Sequence, residues 1–427
     1  MNHVLCAVAF ALLTAIAPPV LSCPLATQYG LPADKGAGAV LCDPANQMPA
    51  PLWRYDLHKG VEDIPAVVVP LPDTTALVLG YAQDDQEPIG WALRLDVSGV
   101  NRLVGGGDYA LDFLRAAAFH PAVGLVAVQG RDDAALLDAN GAWITQYDFG
   151  SLSRNEARAI NDAMFSPDGH LFVMGAEQDS FGTEHGFWDL RADDHRDAFM
   201  TELDEGIGGV KLLRVTSDRD NIVAITAYTN LAGTQAHAID SIDWQGNTDA
   251  RAHLSDYGRY LDAVALPNGG YAVLMEQPAG ARWFGAQMAQ QLVIYDAGLQ
   301  ARDAIPLTDP APFHATAMMA AKDNSIVLAG HLSLDTAGLT LRRPGLLTVM
   351  AKDKPHRWRG IDVDADVHFT QIAETSDARI ILAGMRGTAG AEARDTDAVI
   401  LSWRLEALGF PPPPSVTPLG TPAQAKP

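Results

Sequence analysis

The chain has 427 residues, 48% of them hydrophobic and 19% charged, which supplies ample apolar material for a large core. Its formal net charge of −22 excludes a nucleic-acid binder, because phosphate neutralisation needs clustered Lys and Arg, and it argues equally against adhesion to an anionic membrane. The acidic balance is the ordinary means of keeping a large exported protein soluble, with calcium or a basic partner as the other use for it.

The first element in chain order is an export signal. Residues 1–22 carry no charged side chain, Val4 to Ile16 is an apolar run, Pro18-Pro19 breaks it, and Val20-Leu21-Ser22 offers small or apolar cleavage positions. That run is too short for a membrane span, so the expectation is export to the periplasm or the medium without a span. Cys6 lies inside the signal, leaving Cys23 and Cys42 in the mature chain. In an oxidising compartment two such cysteines predict one disulfide, Cys23–Cys42, across a short loop. The string "VLSC" also resembles a bacterial lipobox with Cys23 as the acylated residue, and both readings stay open. Residues 23–50 are rich in Ala, Gly and Pro and read as a leader.

From about Val67 to Leu408 one pattern recurs: a small or apolar pair, a polar turn, an apolar run, a loop and a second apolar run. The turns are "PLPDTT" at Pro70, "FHPAVG" at Phe119, "FSPDGH" at Phe165, "VTSDRD" at Val215, "ALPNGG" at Ala265, "AAKDNS" at Ala320 and "ETSDAR" at Glu374. A spacing of roughly 50 residues marks a propeller or array. The runs after the turns, such as "TALVLGYA", "NIVAITAY" and "RIILAGMR", are short and rich in Val and Ile, as strands buried on both faces are. Asp96, Asp138, Asp243 and Asp296 close second runs at turns, where a carboxylate can accept turn N–H groups. Helical heptads are absent. The segment "PLWRYDLHKG" before the first repeat has no partner of its own, so Trp53 to Leu57 are expected to supply the outer strand that the last repeat lacks.

These observations predict an all-β chain, a seven-bladed β-propeller of four-stranded antiparallel blades over residues 51–409, with the N-terminal strand closing the last blade. An open β-solenoid is the alternative, disfavoured by so long a repeat. Residues 410–427, "FPPPPSVTPLGTPAQAKP", cannot pack a core and read as a Pro-rich tail. The string "FSPDGHLFVMG" is similar to the blade motif of exported WD40-like and lactonase-like propellers. "AETSDARIILAGMRGTAGAEARDTDAVILSWRLEALG" resembles the "SDGGYILAG" repeats of secreted bacterial propellers. The resemblance implies architecture alone, since such blades host enzymes and pure binding surfaces alike.

Two places are candidates for chemistry. The loops between second and third strands look long at Glu276–Gln290, His331–Arg343 and Met385–Asp395, and they carry Arg282, Trp283, Arg342, Arg343 and Arg394. Such a mixture suits a polar or saccharide-like ligand or a protein partner. The starts of the inner strands bring Arg115, Asp162, Lys211, Asp262, His314 and His368 toward one mouth of the channel, where they would converge on a cavity. Metal signals are weak. "DVDADVH" alternates Asp362, Asp364 and Asp366 ahead of His368, but Val367 stands where an EF-hand loop needs Gly and Ala373 where it needs Glu. No metal site is assigned and no cofactor is expected, calcium being the weakly supported exception. With no nucleophile elbow and no phosphate loop, the sequence favours a non-catalytic binding platform. The alternative is a propeller lyase, lactonase or hydrolase using His and carboxylates at the channel mouth.

Overall fold

A computed structural model of the chain describes residues 43–58, 62–83, 89–105, 114–129, 133–138, 143–148, 157–178, 184–191, 197–203, 210–217, 221–229, 235–244, 247–253, 258–278, 288–308, 312–321, 325–336, 339–349, 357–363, 366–387 and 396–408. The signal, Cys23, Cys42, the tail, Arg282, Trp283 and Arg394 lie outside the described residues. The chain divides into two compact units, Met1–Pro44 and Ala45–Pro427, and every strand belongs to the second.

Strand β1 (Trp53–Leu57) precedes the repeats. Repeat 1 is β2 (Glu62–Pro70), β3 (Ala76–Gln83), β4 (Ile89–Asp96) and β5 (Gly99–Gly105), and repeat 2 is β6 (Leu114–His120), β7 (Gly124–Gln129), β8 (Asp133–Leu137) and β9 (Trp143–Asp148). Repeat 3 is β10 (Ala157–Phe165), β11 (Leu171–Gln178), β12 (Glu184–Arg191) and β13 (Asp197–Leu203). Repeat 4 is β14 (Val210–Ser217), β15 (Asn221–Thr229), β16 (Gln235–Asp243) and β17 (Thr248–His253). Repeat 5 is β18 (Arg259–Ala265), β19 (Tyr271–Pro278), β20 (Met288–Tyr295) and β21 (Ala301–Pro306). Repeat 6 is β22 (Phe313–Ala320), β23 (Ile326–Thr336), β24 (Leu339–Val349) and β25 (Arg357–Gly360). Repeat 7 has only β26 (Val367–Glu374), β27 (Arg379–Gly387) and β28 (Thr396–Arg404).

Within each repeat, strands pair antiparallel in chain order. Strand β1 pairs antiparallel with β28, from Trp53 opposite Ser402 to Leu57 opposite Ala398, as the orphan N-terminal segment predicted. One parallel bridge, Glu62 to Thr396, ties β28 to β2, so repeats 7 and 1 share an eight-stranded sheet beside five separate four-stranded ones. Among the described residues no sheet closes on itself. The first strands touch in succession, β2 to β6, β10, β14, β18, β22 and β26, and β26 touches β2 again.

The core lies between consecutive sheets. Val327, Ala329 and Leu346 of repeat 6 pack on Phe369, Leu382 and Val399 of repeat 7. Ile381 and Ile400 of repeat 7 pack on Val68, Val78 and Trp91 of repeat 1. Fully buried second strands make the continuous apolar runs seen in the sequence.

The repeated turn has a backbone requirement. Its fifth residue lies in the left-handed region at Thr74 (φ 68°), Gly169 (φ 95°), Gly269 (φ 87°) and Ala378 (φ 59°), so two repeats fill it with Gly and two carry the strain. At the far ends of the third strands, Asp96 accepts from Ser98 N (2.7 Å), Asp243 from Asn247 N (2.8 Å) and Asp296 from Gln300 N (2.8 Å), as turn carboxylates should.

Every first strand breaks register once, at the same place. One extra residue bulges out between Pro65 and Val67, Leu114 and Ala116, Ile160 and Asp162, Leu212 and Arg214, Tyr260 and Asp262, Ala315 and Ala317, and Phe369 and Gln371. A bulge sharpens local twist. The bulged residues also join neighbours: Arg115 donates to Asn161 (3.2 Å), Thr316 to Phe369 O, and Thr370 to Pro65 O (3.3 Å). The glycine ending many apolar runs now has its reason. A Cβ on Gly330 would collide with the His314 carbonyl, and one on Gly384 with the His368 carbonyl.

Arg379, 1% exposed, locks repeat 7 to repeat 1. Its guanidinium holds Asp377 at 2.8 Å and donates to the carbonyls of Asp96 (2.6 Å) and Thr74. Replacing Arg379 by Ala strands a carboxylate and two turn carbonyls at this junction. The expected loss is about 3 kcal/mol in chemical denaturation, with Arg379→Lys recovering only part because one ammonium cannot reach all three partners.

Candidate functional site at the mouth

The bulges set a common register for the mouth. Two residues before each bulge lies a row position held by Ile64, Ala159, Lys211, Arg259, His314 and His368 in repeats 1 and 3 to 7. Directly paired residues share a sheet face, so partners on the second and third strands extend the row. In repeat 4 it reads Lys211, Ala227, His237; in repeat 5, Arg259, Glu276, Gln290; in repeat 6, His314, His331, Pro344. In repeat 1 it begins Ile64, Tyr81, and in repeat 3 Ala159, Ala176. Polar chemistry is concentrated in repeats 4 to 7.

Most of this row is satisfied internally. His237 Nδ1 accepts from Tyr260 N (3.3 Å), and burial followed by the nearby Arg259 charge lowers its pKa. Buried Glu276 takes Arg259 Nε at 2.7 Å. Gln290 clamps the next first strand, accepting from Ala315 N (2.7 Å) and donating to Ala315 O (3.3 Å).

Repeat 6 differs. His314 and His331 stack with ring centroids 5.2 Å apart and planes 18° from parallel, and His368 meets His331 edge-on at 6.3 Å. Alternation along β23 puts His331 on the face of Val327 and Ala329, which looks toward repeat 7. Ser333 lies two residues further along that face, and Arg342 is its direct partner on β24. Among the described residues, no hydrogen bond or ion pair joins the side chains of His314, His331, His368 or Arg342 to the protein. Burial, then the charges of His314, Arg342 and His368, push His331 down to about 4, so its imidazole is neutral at neutral pH.

On the side facing repeat 6, repeat 7 presents a bonded network. Asp397 accepts from Arg386 Nη2 (2.6 Å) and lies 2.8 Å from His58 Nδ1, while Arg386 Nη1 is 3.7 Å from Asp56 of β1. Burial raises the Asp397 carboxyl, but the hydrogen bonds from Arg386 and His58 outweigh it and hold it below the usual carboxylate range.

The predicted mouth residues therefore separate into three classes. Lys211, His314 and His368 share the row; Arg115 is a bulge residue; Asp162 and Asp262 follow their bulges and accept from their own neighbours, Ala163 N and Ala263 N (2.9 Å each). They do not form a single ring, because the bulge shifts the register between them. The expected loop His331–Arg343 is a correction as well. It is a ladder whose pairing runs on to Thr336 opposite Leu339, since "HLSLDT" and "LTLRRP" keep period-two alternation. It still presents exposed Arg342, whereas Arg343 lies 3.9 Å from exposed Asp362. Arg259, Glu276, Gln290 and the His314–His331 pair were not identified from sequence. The glycine closing the apolar run, counted back across the hairpin, is the signal that marks their register. Among the described residues, no group of three or more His, Cys, Asp or Glu side chains is placed to hold a metal ion.

No protein-family model and no curated protein sequence matches the chain. Solved structures do. The WD40 domain of Neurospora crassa Pan2 superposes with a TM-score of 0.53 at 9% identity, over 83% of this chain and 97% of that one. This chain has a β-propeller fold. The polysaccharide lyase Uly1 is similar at TM-score 0.52 and 11% identity, covering 82% of this chain and 91% of that one. Hydrazine synthase from Kuenenia stuttgartiensis gives 0.51 at 14%, covering 77% and 94%. Likenesses so remote in sequence speak to the fold alone.

The neutral His331 makes a pH signature. Its folded pKa lies below the ordinary value of about 6.5, so above that pH it is uncharged in both states and folding pays no penalty. As pH falls from about 6.5 toward 4, the unfolded chain takes the proton first and stability declines. Imidazole NMR should give His331 a midpoint near 4, and His331→Gln should flatten the decline in stability over that window.

Proposed function

We propose that the chain is an exported, non-catalytic propeller of seven four-stranded blades, with Trp53–Leu57 as the outer strand of the last, serving as a ligand-binding or protein-interaction platform. The observation that carries this reading is the side-chain cluster at the junction of repeats 6 and 7. Among the described residues, the His314, His331 and Arg342 side chains have no hydrogen-bond or ion-pair partner, while His237, Arg259, Glu276 and Gln290 in repeats 4 and 5 are bonded to the fold. Unused donors on one face of a rigid array are what a binding surface needs and what a structural row lacks. The footprint spans blades five to seven, with Arg282 and Trp283 from the fifth, Arg342 and Arg343 from the sixth and Arg394 from the seventh. Export is carried by residues 1–22, followed by a Cys23–Cys42 disulfide or a lipid on Cys23. The partner is a protein or a polar, saccharide-like ligand.

The second reading is a propeller lyase, lactonase or hydrolase. It draws on one feature: a neutral imidazole beside a guanidinium can remove a proton and steady the resulting negative charge.

Affinity capture from envelope and medium fractions with the exported protein tests the platform. Trp283→Ala and Arg342→Ala should each weaken capture by at least about 1 kcal/mol, with Asp262→Ala unchanged. Loss in the Asp262 variant alone, or turnover of a captured small molecule, would replace this reading with the enzyme.

A further inference from the structure

The crevice between the sixth and seventh blades can be assigned a ligand class. Its unpartnered groups are all of one kind. His314 and His331 come from adjacent strands of β22 and β23, Arg342 from β24, and His368 from β26, so three strands of one blade and one of the next converge. Each can donate N–H, and Arg342 carries a permanent positive charge. The charged or titratable groups acting on His331 are His314, Arg342 and His368, from β22, β24 and β26, and each is a cation or becomes one. Of the carboxylates near it, Asp397 is committed to Arg386 and His58, and Asp56 to Arg54 (2.9 Å) and Arg386, while Asp366 stands two residues before His368. A knot of cationic donors with no ion pair among the described residues runs against the rest of the chain, whose net charge is −22.

Two simpler accounts fit less well. Packing alone would bury these rings against apolar side chains, yet His368 is exposed and Arg342 reaches solvent. A metal would need the imidazoles to turn toward one point, whereas His314 and His331 stack face to face.

We infer that this crevice binds an oxyanion group of the sulfate, phosphate or carboxylate type, with Arg342 as the charged anchor and the three histidines as N–H donors. The inference rests on the platform reading and narrows it. Binding is coupled to protons, because an anion favours the imidazolium form of its neighbours and offsets the burial and the neighbouring charges that keep His331 neutral. Affinity therefore rises as the pH falls toward about 4, where His331 takes up its proton. Whether the anion is free in solution or carried on a polymer such as a sulfated glycan, the chemistry at the site is the same.

The test uses the full exported chain with sulfate, which keeps its charge across the pH range, and with dextran sulfate as the polymeric form. Imidazole NMR follows the three histidines from about pH 7 down to about pH 3.5, across the His331 midpoint near 4, and calorimetry gives affinities. The expected result is that sulfate moves the His331 and His314 resonances and raises the His331 midpoint. Affinity should be lower by roughly tenfold in Arg342→Ala, with partial rescue by Arg342→Lys, and should also fall in His331→Gln. Response to dextran sulfate alone supports the site and assigns it a polymeric ligand; response to both supports a free or terminal group. Unchanged denaturation midpoints in the variants separate loss of the site from loss of the fold. Absence of any response to either probe overturns the inference, as does a response that survives Arg342→Ala, or saturation of the histidines by zinc in place of sulfate. A chain that ignores both probes while still capturing its partner through Trp283 sinks the oxyanion site and leaves the platform standing.

Discussion

The structure depends on the pairing of Trp53–Leu57 with Ala398–Ser402. A radial array of twisted sheets is held only by contacts between neighbours, and repeat 7 supplies three strands of its own. Without β1, β28 would present a bare hydrogen-bonding edge, the kind that recruits other chains. With it, Leu57 enters the apolar layer between repeats 7 and 1, and Trp53 and Tyr55 pack against that layer. The chain before β1 extends the same clasp. Met48 N bonds Gly360 O on the outer strand of repeat 6 (2.9 Å), Trp403 Nε1 bonds Pro49 O (2.9 Å), and Leu52 N bonds Ser402 O (2.8 Å). Residues 48–52 thus strap the outer edges of repeats 6 and 7 together, across the same junction whose mouth end carries the histidine cluster.

Bulge and glycine form a second, coupled device. The extra residue in each first strand turns the local backbone, and the paired second strand has to approach it closely. Gly80, Gly330 and Gly384 meet this demand by having no side chain opposite the carbonyls of Ile64, His314 and His368. The register shift and the close approach together fix where the row residues stand. That is how the scaffold brings nitrogen-bearing groups of repeats 6 and 7 side by side.

The architecture was legible because it is written in local chemistry. Turn residues at Pro70, Phe165, Ala265 and Glu374 forecast hairpins, and the unpartnered "WRYDL" forecast the outer strand that β1 supplies. Asp96, Asp243 and Asp296 were read as turn carboxylates from their position alone. The site was only half legible. His314 and His368 could be found because they precede an apolar pair, but Arg259 holds the same position and was passed over in favour of Asp262, three residues on. A one-residue bulge leaves no compositional trace, and it decides which of the two lies in the row. The His331–Arg343 segment misled for a related reason. Polar residues alternate there with Leu, and polarity was read as a loop where period two meant a ladder.

Closure through β1 is the claim on which the rest stands, and native-state hydrogen exchange tests it most directly. If β1 is the last strand of the array, the bonded amides of the β1–β28 pair will exchange in one cooperative step with those of β27, at the free energy of that shared unit. Amides of residues 53–57 that exchange at the rate of an unstructured chain, while β27 and β28 remain protected, would contradict it.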